Sequence, residues 1–278
     1  MTGPGPTTAD ARIEAAVVVR LRLAGCVFAE DEARLLIEAS ESGDVPDAAA
    51  ELERLVARRV AGEPLEQLVG WAEFAGLRIH VEPGVFVPRR RTEFLAAEAA
   101  RLASEVAARS GGVPVVVDLC CGTGAIGAAI MEAAAPIELV AADLDEAAVR
   151  AARRNLEPRG GLVVEGDLFD PIPERLRGRV DVLAVNAPYV PSDAIALMPP
   201  EARDHEARLA LDGGDDGLDV HRRIGASAAL WLAPGGHLLI ETSEGQAPVT
   251  AAIVRAGGLE ERIVRSEEAD STVVIGRA

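Results

Sequence analysis

Apolar residues recur at intervals of three and four through the first part of the chain: Ile13, Val17 and Leu21, then Ala33, Leu36 and Ile37, then Leu52, Leu55, Val56 and Val60. Each set gives a helix one apolar face. Gly43 and Pro46 separate the second helix from the third, Gly62-Glu63-Pro64 ends the third, and residues 1–9 read as a frayed tail. Trp71 to Val87 alternates loosely around Gly76 and Pro83-Gly84, the pattern of a short antiparallel hairpin. Thr92 stands where it can cap the helix that follows, which runs to about Arg109. From residue 113 the period changes. Apolar runs alternate with helical stretches over Val113–Leu119, Ile126–Ala134, Ile137–Ala142, Asp145–Asn155, Leu162–Gly166 and Val180–Val185. That alternation predicts a parallel sheet with right-handed crossovers. A helix near Leu218–Leu232, a strand His237–Glu241, a helix near Glu244–Ala256 and a closing hairpin of Glu260–Ser266 with Thr272–Gly276 complete the pattern. The expected division is a helical domain ending in a hairpin over residues 1–85 and an α/β domain over 86–278.

Composition narrows the function classes. With 278 residues, 49% of them hydrophobic, the chain can bury a sizeable core, and with 3% aromatics that core is aliphatic. The net charge is −17 and every basic residue is Arg, a balance unlike that of a general nucleic-acid binder, which neutralises phosphates with basic clusters. Cys26, Cys120 and Cys121 form no Cys-x-x-Cys, so no zinc site is expected and a reducing compartment is. The first residues lack the charged and apolar regions of a signal peptide, and no apolar run approaches membrane-spanning length. The expectation is a soluble, cytoplasmic protein without metal or membrane partner.

Four strand ends carry the candidate chemistry, because ligands of open α/β sheets bind beyond the carboxyl ends of the strands. The first ends in Asp118-Leu-Cys-Cys-Gly-Thr-Gly124, where Gly122 and Gly124 allow a sharp turn and close approach to a ligand. The spacing is not that of a dinucleotide loop and no phosphate-cradling Gly-Lys follows, which favours a cofactor with amino-acid and nucleoside ends. Asp118 would then hold water or the ammonium end. Asp143 at the next strand end is placed to accept ribose hydroxyls, whereas Asp145 reads as a helix cap. Asp167 is placed to accept an adenine amino proton, with Leu168 or Phe169 flanking the ring. The fourth strand ends in Asn186-Ala187-Pro188-Tyr189: a side-chain acceptor, a main-chain carbonyl held extended by the proline, and an aromatic plate, suited to a planar NH2 group. Cys120-Cys121 read as small packed residues, Trp231 and Leu232 as core, and Ser243-x-x-Gln246 as a capping box.

The succession Asp118, Gly122, Gly124, Asp143, Asp167 and Asn186 on consecutive strands resembles the class I S-adenosylmethionine-dependent methyltransferases, and Asn186-Ala-Pro-Tyr189 resembles the Asn-Pro-Pro-Tyr motif of their amino-methylating members. Within these the chain is similar to the protein-(glutamine-N5) methyltransferases, the PrmC/HemK family that modifies peptide chain release factors. Val87-Pro-Arg89, Thr92-Glu93 and Arg208-Leu-Ala-Leu-Asp-Gly-Gly-Asp-Asp-Gly-Leu-Asp219 carry the likeness, which spans roughly residues 50–278. It implies a Rossmann-like seven-stranded sheet with a small helical N-terminal domain for substrate recognition. The cofactor would be S-adenosyl-L-methionine, held by Asp118, Cys120, Cys121, Gly122, Thr123, Gly124, Asp143, Asp167, Leu168, Phe169 and Asn186. Asn186, Ala187, Pro188 and Tyr189 would position a glutamine amide of a release factor for methylation.

The chain departs from the family pattern at Arg90 and Arg91, where Pro and an acid are usual, at Cys120 for Gly, at Ala187 for Pro, and after Glu241. A paralogue acting on a glutamine of another protein, an adenine-N6 methyltransferase of nucleic acid and a non-catalytic cofactor-binding protein are the alternatives.

Overall fold

A computed structural model describes residues 8–42, 46–134 and 136–278. The break placed at Gly43 and the first seven residues lie outside them; Thr8 and Ala9, expected in the tail, belong to the first helix.

The chain forms two compact units, residues 1–70 with 199–205, and residues 71–198 with 206–278. The first contains α1 (Thr8–Leu23), α2 (Ala29–Ser42), α3 (Ala48–Val60) and α4 (Leu65–Val69). Val17, Leu21, Ala33, Leu36, Leu52, Leu55 and Val56 meet in its core, as their spacing predicts. Ile13 and Val60 lie outside it, 48% and 43% exposed, because so small a cluster covers only the middle of each helix stripe. Asp47 caps α3 by accepting from the amides of Ala49 and Ala50. Arg59 is buried and donates to Glu32 at 2.6 Å and to Glu201 at 2.5 Å, while Gln67 donates to the His205 carbonyl at 3.1 Å. Those bonds attach a short helix from much later in the chain, Pro200–His205, to this unit. Nothing in the hydrophobic pattern signalled that excursion, since polar contacts make it.

The second unit begins with β1 (Trp71–Phe74) and β2 (Leu77–His80), joined through Ala75 and Gly76, both left-handed at φ 51° and 75°, as a tight hairpin turn requires. Phe74 and Ile79 are buried in the core of the sheet unit, so the hairpin groups with the α/β part and the division falls at Gly70/Trp71, not at residue 85. Next come α5 (Glu93–Ser110), β3 (Val115–Leu119), α6 (Ala125–Ala134), β4 (Glu138–Asp143), α7 (Glu146–Leu156), β5 (Leu162–Glu165) and β6 (Val180–Val185). After α8, the helix at Pro200–His205, α9 (Asp219–Trp231), β7 (Leu232–Thr242), α10 (Ala247–Ala256), β8 (Glu260–Ser266) and β9 (Ser271–Arg277) end the chain. The sheet order is β5-β4-β3-β6-β7-β9-β8, parallel except for β9, which runs antiparallel to both neighbours.

The central strands are buried on both faces, hence their unbroken apolar runs. On β3, Val116 joins the core beneath α5 and α6, whereas Val115, Val117 and Leu119 join the core with α9 and α10, the alternation of a pleated strand. Trp231 is buried and stacks on Phe169 with ring centroids 5.6 Å apart. Asp145 caps α7 by accepting from the Ala147 amide at 2.9 Å. Thr92 does not cap α5: a 3₁₀ turn, Arg90–Thr92, precedes the helix, and its hydroxyl is left for another use.

Between α9 and α10, His221 is fully buried, with Nδ1 3.2 Å from Thr250 Oγ1 and Nε2 unpartnered. Burial, then the nearby Arg222 cation, pushes its pKa down to about 4. The folded state thus prefers neutral imidazole. Its contribution is full above the unfolded value near 6.5 and is lost as pH falls towards 4. Replacing His221 by Phe removes a loss of about 2 kcal/mol between pH 7 and pH 4.5. Denaturant melts at the two pH values check this; equal acid sensitivity in both proteins refutes it.

Candidate active site

The strand order reverses direction between β3 and β6, the point at which open α/β sheets leave a crevice. Leu119 and Val185 pair across it, so the loops after both strands leave the sheet side by side.

The loop after β3 is a sequence of left-handed residues. Cys120, Gly122 and Gly124 have φ of 58°, 54° and 75°. A Cβ at Gly124 would sit 2.7 Å from Leu156 Cδ1, so only glycine fits. Cys120 adopts a conformation that a glycine adopts without strain, which explains why the family pattern has Gly there. Burial pushes both thiols well up; Cys121 is buried and Cys120 half-buried. Asp143 organises the turn from the end of β4: Oδ2 accepts from the Gly122 amide at 2.8 Å and Oδ1 from the Asp145 amide at 2.9 Å. Asp118 is fully buried. Its Oδ2 accepts from the Gly127 amide at 2.8 Å and its Oδ1 has no partner. Burial pushes this carboxyl up to about 8, against the Gly127 hydrogen bond and with Asp143 adding to it. Asn155 ties the loop to the hairpin, donating to the carbonyls of Thr123 at 2.8 Å and His80 at 3.0 Å and accepting from the His80 amide at 2.8 Å.

The loop after β6 is held from several sides. Asn186 is half-buried, its Nδ2 3.3 Å from Thr92 Oγ1, and Ala187 is buried. The Tyr189 hydroxyl accepts from Arg91 at 3.0 Å and lies 3.4 Å from Glu241 Oε1, itself 3.6 Å from Arg91 Nε. Burial, then Glu241, pushes the phenol up, so it keeps its proton. Burial also raises Glu241, opposed by the Thr92 hydroxyl and the Arg91 cation. Gln246 Nε2 donates to the carbonyls of Tyr189 at 2.9 Å and Asp216 at 3.1 Å. Ser243 Oγ accepts from the Gln246 main-chain amide at 3.3 Å, one half of the expected capping box, and donates to Gln246 Oε1 at 2.6 Å, which leaves the Gln246 side-chain NH2 to strut the loops. Residues 211–217 brace the same loop. Val190 and Ser192 donate to the carbonyls of Leu211 and Gly214, Gly213 donates back to Val190, and a Cβ at Gly217 would lie 2.3 Å from the Tyr189 carbonyl. Among Arg89–Arg91, Arg89 Nη2 lies 2.7 Å from both oxygens of the buried Glu206 and Arg90 is exposed.

A small cavity of about 40 Å³ joins the two loops, lined by Cys120, Cys121, Gly122, Thr123 and Asn186 together with Phe74, Phe86, Pro88, Arg89 and Thr92. It gathers the centre of the expected constellation but not its periphery. Asp167 is engaged by Arg223 at 2.7 Å. Leu168 is half-buried with φ 50°, leaving it as the candidate for the ring edge. Phe169 is buried, its ring stacked on Trp231 in the core. Thr92, Glu241 and Gln246 were missed as site residues: each looks like ordinary cap or strand chemistry until the loops are assembled. Among the described residues, no group of three His, Cys, Asp or Glu could hold a metal, and no helix is long and apolar enough to cross a membrane.

Residues 76–201 match the model of the methyltransferase small domain. A methyltransferase from Pyrococcus furiosus shares the fold, with TM-score 0.54 at 18% identity, covering 80% of this chain and 96% of that one. The sheet order, the crevice and these matches define a class I methyltransferase. The release factor glutamine methyltransferase of Geobacter sulfurreducens is 39% identical over 204 residues, 73% of this chain and 68% of its own. A 4-amino-L-phenylalanine/4-methylamino-L-phenylalanine methyltransferase of Streptomyces pristinaespiralis is also 39% identical, over 203 residues, 73% of this chain and 69% of its own. The chain belongs to the release factor glutamine methyltransferase family.

Asp143 holds the glycine loop from the end of β4. Asp143→Ala should weaken binding of S-adenosylhomocysteine at least tenfold by calorimetry, since two half-buried amides of the turn lose their acceptor. Gly217→Ala should reduce methyl transfer while leaving that affinity within about twofold, because it displaces the Tyr189 carbonyl and the Gln246 side chain that bonds it.

Proposed function

We propose that this enzyme transfers a methyl group from S-adenosyl-L-methionine to the side-chain amide nitrogen of a glutamine, that of the Gly-Gly-Gln motif of a peptide chain release factor, in the cytoplasm. The observation that carries this reading is Asn186 lining one crevice with the glycine loop, at the end of the strand paired with β3. The family's release factor enzymes, similar over most of this chain, support it.

The residues present fit the cofactor. The left-handed turn at Cys120–Gly124 leaves its backbone open to close approach, Asp143 at the end of β4 would hold the ribose hydroxyls, and Asp118, whose Oδ1 is unpartnered among the described residues, would hold water or the ammonium end. When bound, S-adenosylmethionine supplies an electrophilic sulfonium methyl. The protein's part is to make an amide nitrogen attack, although its lone pair is delocalised into the carbonyl. Asn186 Oδ1 and the Ala187 carbonyl each accept one N–H of the substrate amide, fixing the nitrogen and stabilising the positive charge it gains. Tyr189 packs on the amide plane. The chemistry requires no metal. The helical unit, which exposes Leu23, Val27 and Phe28, is assigned to recognition of the protein substrate.

A second reading is favoured by Arg91, a cation beside Tyr189 where the family pattern has an acid. It would suit an arylamine on a free amino acid, the acceptor that the Streptomyces relative's name describes.

Incubation with a release factor, with 4-amino-L-phenylalanine and with DNA, followed by mass spectrometry, separates the readings. One methyl on the Gly-Gly-Gln glutamine is expected; methylation of the free amino acid or of adenine alone sinks the reading. Asn186→Ala should lower turnover roughly a hundredfold or more with cofactor affinity within about twofold, as loss of a group acting on the acceptor alone predicts.

A further inference from the structure

We propose that Arg91 is a positioning residue for methyl transfer, which clamps the ring of Tyr189 by its phenol oxygen against the sheet residue Glu241. The inference rests on reading Tyr189 as a wall of the acceptor site, and holds for an amide or an arylamine alike.

A ring that packs on a planar acceptor helps the reaction only if its own plane is already fixed. A ring free about its two torsions presents many orientations and loses entropy when it settles on one. The main chain of Tyr189 is secured, since its carbonyl accepts from Gln246 Nε2 at 2.9 Å and the next amide, that of Val190, donates to the Leu211 carbonyl. Packing secures the ring less well. Tyr189 is half-buried, and among the described residues its ring stacks on no other aromatic.

The tip of the side chain is where the ring is held. Arg91 Nη2 donates to the phenol oxygen at 3.0 Å, and Arg91 Nε lies 3.6 Å from Glu241 Oε1. A guanidinium donates and never accepts, so the direction of the first bond is settled. The phenol oxygen receives from Arg91, and its own proton has Glu241 Oε1 in reach at 3.4 Å. That second contact is long for a hydroxyl donor, so the charge-assisted bond from Arg91 carries the clamp. Glu241 backs it from β7, where it is 2% exposed and fixed by the strand. Arg91 comes from the 3₁₀ turn before α5. Three separate elements thus meet at one hydroxyl. Its donor and its acceptor capacity are both committed within the protein, and the acceptor meets the ring alone. Removing Arg91 and removing the hydroxyl should therefore have the same effect.

Tyr189 is the only tyrosine of the chain, so ring-labelled tyrosine in the full protein reports on this residue alone in NMR. Arg91 is 46% exposed, which lets it be replaced without opening the core. The ring should be as ordered as rigid backbone in the wild type, with an order parameter of about 0.85, and fall to about 0.6 or below in Arg91→Met. Turnover on release factor should drop about tenfold in Arg91→Met and in Tyr189→Phe alike, with S-adenosylhomocysteine affinity within about twofold. The double variant should be no slower than either single one, because both changes open the same clamp. A ring equally ordered without Arg91 overturns the proposal, as does wild-type turnover in either single variant. Losses that multiply in the double variant also overturn it, since the hydroxyl would then serve the acceptor independently of Arg91. A wild-type enzyme that leaves release factor unmethylated would count against the proposed function, and the ring measurement, which needs no acceptor, would still decide the role of Arg91.

Discussion

The hydrogen-bonded ladder between β3 and β6 is the constraint on which the site depends. Parallel strands side by side end at the same level, and the pairing of Leu119 with Val185 fixes that level to the residue. Every later element serves this junction. α5 and α6 cover one face and α9 and α10 the other, so the paired strands lie dry and their loops alone meet solvent. A slip of one residue would turn Asp118 and the core valines to opposite faces. The glycine loop and the acceptor loop are neighbours because a register is kept, with few contacts running directly between them.

Charge buried at this junction is arranged in opposition. Asp118 and Asp143 stand behind the glycine loop, both raised by burial, so the cofactor side of the crevice is poised for a cation. On the acceptor side, Glu241 is balanced by Arg91, and Arg89 by Glu206. The first pair of carboxylates is held by backbone amides and has no cationic partner among the described residues, and the second set is internally neutral. That asymmetry suits a positively charged donor meeting a neutral acceptor. It also explains how an arginine at 91 is tolerated: it completes an ion pair with a carboxylate that burial would otherwise disfavour.

The sequence pattern located elements where a single force decides them. Val180–Val185 and Glu260–Ser266 have the predicted limits, because continuous burial in one case and edge alternation in the other leave little choice. It failed where two roles compete for one residue. Phe169 follows a strand end like a ligand-flanking aromatic, yet the core near Trp231 claims it. Thr92 and Gln246 have the chemistry of helix caps and are recruited across the fold instead. The attachment of Pro200–His205 to the helical unit rests on Arg59 and Gln67, polar side chains that periodicity does not read. The constellation at the strand ends was legible because loops at a switch point expose their residue types; the struts behind them were not.

The bracing of the acceptor loop by residues 211–217 has a consequence for how this family can change. Val190 and Ser192 are fastened by backbone bonds to a neighbouring segment, the Tyr189 carbonyl accepts from the Gln246 side chain, and Gly217 leaves no slack against that carbonyl. Stiffness is therefore a property of the frame, and the loop borrows it. A proline at 187 becomes dispensable, which is how alanine stands there without freeing the chain. Inner positions of the loop can therefore change without loosening it, whereas a change at Gly217 or Gln246 loosens every position at once.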